Sequence, residues 1–306
     1  MTRIGLLLLA LLLAAPATAR TLQVGPGQPY KLPSAAIGDA RDGDTVQIAA
    51  GRYVDCAVVR ASNLVIEGLG AGASAMLTDR ICEGKALLVT AGKNITIRNL
   101  TLTDAHVPEH NGAGIRAEGR DLTIERVKFI DNENGILSAP SPDSTITIRD
   151  SEFIRNGSCE GSCAHGIYIG AIALLHVEHS RFFGTRRAHH IKSRAQRTEV
   201  IGCDIRDGPA GTASYEIEAP DGGSVVVRDT TIEKGPMAEN HTAMIMIGSE
   251  NLAQPTHEIT IENNTARNDG SFSTVFVYNN TAVGAVLKGN KLSGAIEPLH
   301  GDGTVQ

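Results

Sequence analysis

Two neighbouring segments carry reactive side chains at alternate positions: His190, Lys192 and Arg194 in His189-His190-Ile191-Lys192-Ser193-Arg194, and Ser214, Glu216 and Glu218 in Ser214-Tyr215-Glu216-Ile217-Glu218. Alternation at period two places every second residue of a strand on one face, so each set shares a surface. Elimination from a uronic acid polymer needs a cation to neutralise the substrate carboxylate and a base to take the proton from the adjacent carbon. Lys192 or His190 suits the base and Arg194 the neutralising cation. A lysine is a poor base at neutral pH unless neighbouring cations lower its pKa, as Arg194 would.

Other chemistries fit the same residues. Glu216 and Glu218, at positions i and i+2, would lie about 6.6 to 6.8 Å apart, near the lower edge of the acid–base spacing of inverting glycosidases. The same two carboxylates with Ser214 offer oxygen ligands for Ca²⁺. Without catalysis, the patch would hold a glycan on a binding or cell-surface protein. Tyr168, Ser214, Arg186, Arg187 and Arg197 are candidates for substrate contact. With no Trp and five Tyr, sugar-stacking platforms are few, which favours an anionic polysaccharide bound through ions. Lys192 and Arg194 paired with Glu216 and Glu218 would also serve as a cross-strand charge ladder, though such pairs contribute only about 0.2 to 1 kcal/mol each. His189 is expected to face inward beside Ile191.

The elements that position these residues follow from a repeat. Ile95-Thr96-Ile97, Leu122-Thr123-Ile124, Ile146-Thr147-Ile148 and Val225-Val226-Val227 belong to a phrase recurring every 23 to 34 residues, each followed by polar residues and another apolar position. Strand-like alternation repeated at one coil length predicts an all-β, single right-handed parallel β-helix. A second strand series aligns Ile115, Ile136, Ile167, Ile191, Ile217 and Ile245 inside, with their sequence neighbours outside. Pro33 to Ala40 predicts a short N-terminal capping helix. The solenoid is expected over residues 20–295, with a polar tail over 296–306.

Arg3, the apolar run Ile4 to Ala15 and Ala17-Thr18-Ala19 predict a signal peptide over residues 1–19 and a secreted or periplasmic protein. No later stretch is apolar enough to span a membrane. Lys+Arg 28 against Asp+Glu 34, with no basic run, argues against nucleic acid. A monomer is expected. Of five cysteines, Cys159 and Cys163 suit a loop staple, Cys56 and Cys82 would meet between adjacent coils, and Cys203 reads as a buried thiol. Asp104, His106, Glu109 and His110 are metal-type side chains at a spacing that matches no defined site.

The capping helix, followed by Gly43-Asp44-Thr45-Val46 and Gly51-Arg52-Tyr53, resembles the opening of the secreted pectate lyase-like β-helix superfamily. That resemblance covers nearly all the chain beyond the signal peptide. It implies the fold, while lyases, hydrolases, esterases, epimerases and phage tailspikes share it. Ile191-Lys192-Ser193 resembles the strand carrying the catalytic lysine of the alginate and chondroitin lyase family, where a Glu-x-Glu calcium site also occurs. In that family the Arg follows in the next coil and the Glu pair precedes the Lys. The resemblance implies a polysaccharide lyase; glycoside hydrolase and glycan-binding protein are the alternatives.

Overall fold

The structure is a computed structural model describing residues 18–306; the expected signal peptide lies almost wholly outside the described residues. Three parallel sheets of 12, 10 and 10 strands run the length of a right-handed β-helix. Each strand pairs with its counterpart one coil later, as Ile97 with Ile124, Ile124 with Ile148 and Ile148 with Val177. These aliphatic residues stack into columns of 0 % exposure. Stacking like on like removes each coil's apolar face from water only when neighbours are present, so the fold is cooperative along its axis.

The helix Pro33–Asp39 buries Pro33, Ala36 and Ile37 at the N-terminal end. Residues 296–306 do not form the expected tail. Ile296–His300 joins the third sheet and Gly303–Val305 the first, each pairing in parallel with the strand of the preceding coil. Cys56 bonds Cys82 and Cys159 bonds Cys163, while Cys203 is buried and unpaired, burial pushing its thiol up to about 12.

The outer faces of the first two sheets carry charge ladders of the ordinary kind, such as Glu67 with Arg98 at 2.5 Å and Lys128 with Glu152 at 3.0 Å. The third sheet differs, and its difference begins inside. Phe129, Phe153 and Phe182 of the second sheet stack at ring distances of 4.6 and 4.5 Å. Room for the Phe129 and Phe153 rings comes from Gly114 and Gly135, while Gly166 at the same place one coil on lies against the His190 backbone; each glycine precedes the inward isoleucine of its third-sheet strand. A Cβ on Gly135 would stand 2.7 Å from the Phe153 ring and 2.5 Å from the Gly166 carbonyl.

The residue before the isoleucine therefore also faces inward, at the corner where the chain enters the third sheet. Gly135→Ala should lower stability by about 1–3 kcal/mol through overpacking, read as a lower denaturant midpoint at unchanged slope. Full stability in the variant would show that the corner yields.

Past Phe182 the second-sheet column shrinks to Ile205 and Ile232. The corner positions there are His190 and Glu216, both at 0 % exposure. His190 Nδ1 lies 2.7 Å from Thr185 Oγ1 and Nε2 lies 3.0 Å from Asp207. Glu216 sits 3.3 Å from the ammonium of Lys234, which also donates to the Ser214 carbonyl at 2.8 Å. Both residues are thus interior, contrary to the outward placement that strict alternation predicts.

Candidate functional site

With the corner bulge accounted for, the outer face of the third sheet carries His165, Tyr168, His189, Lys192, Tyr215 and Glu218. Tyr168 pairs in register with Lys192, and Lys192 with Glu218, across three successive coils. His189 faces this groove and not the core: its ring lies 4.9 Å from that of His165 and 5.1 Å from that of Tyr215. The groove has a volume of about 600 Å³, with Arg187, Ser214 and the Cys159–Cys163 disulfide on its walls. A second cavity of about 530 Å³, lined by His106, His110, Glu133 and Arg186, adjoins it through Cys159 and Arg187.

Backbone donors fix both groove imidazoles. The His189 N–H donates to His165 Nδ1 and the Tyr215 N–H to His189 Nδ1, each at 3.2 Å. Each ring is therefore the neutral tautomer with its proton on Nε2. Burial, reinforced by the Lys192 ammonium, pushes His165 well below the ordinary imidazole value. His189 Nε2 lies 3.1 Å from Glu218 Oε2.

The cations of the groove converge on carboxylates from later coils. Lys192 Nζ is 2.8 Å from Glu218 and 3.0 Å from Glu250. Arg194 donates to Tyr168 Oη at 2.9 Å, Asp221 at 2.6 Å and Glu250 at 2.6 Å. Burial draws the Lys192 pKa down, but Glu218 and Glu250 outweigh it and hold the ammonium above its ordinary value. This reverses the direction expected from Arg194 alone. Burial likewise opposes the charge on Glu218, yet His189 and Lys192 hold it well below the usual carboxylate range.

Several expected members lie elsewhere. Glu216 faces the core while Glu218 faces the groove, so the two can neither act across one glycosidic bond nor chelate one Ca²⁺. The hydrolase and calcium readings lose their shared residue pair for that reason. Arg197 belongs to the first sheet, where it pairs with Glu199 and Glu258. Arg186 lines the second cavity, 3.7 Å from Asp131. Ser214 reaches the groove wall, its carbonyl turned to Lys234. Among the described residues no group of three or more His, Cys, Asp or Glu side chains is arranged to hold a metal ion. His110 instead sits 3.3 Å from Glu133, and His106 3.8 Å from it.

Sequence reasoning missed His165, Asp221 and Glu250. His165 was legible as a residue preceding a corner glycine, in the same place as His189 one coil on. Asp221 and Glu250 lie after their strands, in loops whose direction alternation does not specify.

The family described as right handed beta helix region matches residues 55–188. Among solved structures, an alginate lyase from Paenibacillus sp. str. FPU-7 superposes with a TM-score of 0.64 at 17% identity, over 93% of this chain and 99% of that one. ORF18 of Geobacillus virus E2 gives 0.58 at 12% identity, over 91% and 59%. The pectate lyase Pel9A gives 0.54 at 14% identity, over 94% and 78%. No curated protein matches the chain. At these identities the likeness is one of fold: the chain folds as a right-handed parallel β-helix.

Proposed function

We propose that the protein is a polysaccharide lyase that cleaves a uronate-containing glycan by β-elimination in the groove over the third sheet. One observation carries this reading. A single carboxylate, that of Glu250, spans Lys192 Nζ and Arg194 Nη2 at 3.0 and 2.6 Å. Elimination requires a base next to the group that neutralises the substrate carboxylate, because the acidic C–H is on the carbon bearing that carboxylate. A base and a cation within reach of one carboxylate satisfy that requirement.

Arg194 takes the uronate carboxylate, and Lys192, once deprotonated, removes the neighbouring proton. Tyr168 Oη accepts the Arg194 Nε–H, which leaves its own hydrogen free for the departing glycosidic oxygen. The Nε2–H of His165 is a fixed donor for a sugar hydroxyl or ring oxygen, while that of His189 is directed at Glu218. Arg187, exposed where the two cavities meet, extends the anion path. The alginate lyase and the pectate lyase among the structural neighbours support the same class.

The test is incubation with alginate, polygalacturonate and glycosaminoglycans beside neutral glucans and galactans. Ultraviolet-absorbing products one water lighter than hydrolysis products are expected from a uronate polymer and from none of the neutral ones. Reducing ends without that absorbance would overturn the assignment. With Lys192 held protonated by its carboxylate neighbours, the rate should climb as pH rises toward the alkaline side, since only the neutral amine accepts a proton. A rate maximum on the acid side, falling through neutrality, would remove Lys192 as base.

A further inference from the structure

Resting on the lyase reading, we infer that Glu250 is a built-in occupant of the substrate-carboxylate subsite, which an incoming uronate must displace, and that this exchange makes the site selective for anionic glycans.

Glu250 belongs to the turn after the strand Ala243–Ile247, two coils beyond Lys192. The backbone of this turn is fastened independently of the Glu250 carboxylate. Gly248 N–H donates to the Ala219 carbonyl, Glu250 N–H to the Pro220 carbonyl and Gln254 N–H to the Asp221 carbonyl, each at 2.9 Å. The Ser249 hydroxyl adds a bond to Glu218 at 2.7 Å. Rotation of one side chain is enough to vacate the subsite, with no loop opening.

The charges around the subsite show why the occupant is exchangeable. Lys192 already has Glu218 at 2.8 Å, and Arg194 already has Asp221 at 2.6 Å. Both of those carboxylates are nearly enclosed, whereas the Glu250 side chain is 37% exposed. Glu250 is thus the third anion on two cations and the one with water beside it. Coulomb attraction at such a half-exposed position is weak enough for exchange, while a neutral sugar brings nothing to replace it. An arriving uronate exchanges one carboxylate for another, and Glu250 moves into solvent.

Glu250→Gln keeps the shape and the backbone bonds but removes the competing charge. Binding of the monosaccharides galacturonate, mannuronate and glucuronate, and of neutral galactose, mannose and glucose, is followed by titration NMR on wild type and variant. The variant should bind the recognised uronate about two- to fivefold more tightly, the scale of one such ion pair, with neutral sugars unchanged. It should also move the alkaline limb of the rate profile to lower pH, because one of the anions holding Lys192 protonated is gone. The groups facing Lys192 that remain are Glu218, His165, His189, Tyr168 and Arg194.

A thermal melt confirms that the variant is folded. Should wild type bind or cleave a uronate while the variant binds it no more tightly, Glu250 is a structural partner and the occupant role is overturned. If neither protein binds any uronate and no uronate polymer is cleaved, the lyase reading itself falls and takes this inference with it.

Discussion

If the proposed elimination chemistry holds, Lys192→Met is expected to lower kcat by about 10²- to 10⁴-fold, the contribution of a positioned acid–base group. Methionine preserves the apolar stem that packs beneath the groove and removes only the amine. Glu218 keeps His189 at 3.1 Å and the Ser249 hydroxyl at 2.7 Å, so the carboxylate left behind is still solvated by polar partners. Those partners soften the loss of stability, but the Glu218 side chain is only 5% exposed, so the loss should be about 3 kcal/mol, the low end for breaking a buried pair from one side. Steady-state kinetics on the best uronate polymer and a denaturant melt are measured together. That stability loss with little change in rate would return Lys192 to a cross-coil ladder like those on the other two sheets.

Lys234→Met has the opposite signature: a large effect on stability, with activity affected only through folding. Its ammonium and the Glu216 carboxyl are both at 0 % exposure, and the substitution removes the cation that faces the acid. Breaking a buried ion pair from one side costs about 3–5 kcal/mol, a cost approached here only where Glu216 is ionised. The size should depend on pH. Burial, with Asp207 adding to it and Lys234 opposing, pushes the Glu216 carboxyl up to about 8. Unfolded, the same carboxyl has a pKa of about 4.3. The native state therefore keeps a proton that the unfolded chain releases. The stability this gives is fully present below the unfolded value and is lost as pH rises through the folded one.

In Lys234→Met the opposing cation is gone, so Glu216 moves further up and the loss becomes larger at pH 8, where wild type begins to ionise Glu216 against Lys234, than at pH 5. Urea midpoints at those two pH values read the difference directly. Equal losses at both, or none at pH 8, would show that the interior tolerates the charge. Lys234→Met/Glu216→Gln should recover much of the pH 8 stability, because no charge then remains in the pair.

The neighbourhood explains where sequence reasoning held and where it failed. Column after column of aliphatic residues at one coil length can satisfy both burial and backbone pairing only in a parallel solenoid, so the inward isoleucines from Ile115 to Ile245 were legible from spacing. Lys192, Arg194, Tyr168 and Glu218 also face outward as period two requires. His189, His190 and Glu216 do not follow it, because two consecutive residues turn inward at the corner before the third sheet. The signal for that bulge was present in the same column: Gly114, Gly135, Gly166, Met244 and Phe276 are glycine or large and apolar, the composition of a buried position.

The repeat thus determined the fold, the inward columns, the Cys56–Cys82 pairing and the strands that meet at the groove, since each depends on local alternation and coil length, and the short spacing of Cys159 and Cys163 determined the other disulfide. Which carboxylate each cation meets was decided only by the tertiary structure. Asp221 and Glu250 stand 27 and 56 residues beyond Arg194, on turns held by carbonyls of adjacent coils. Sequence distance carries no information about a charge that arrives from one or two coils away, and that charge sets the protonation of Lys192.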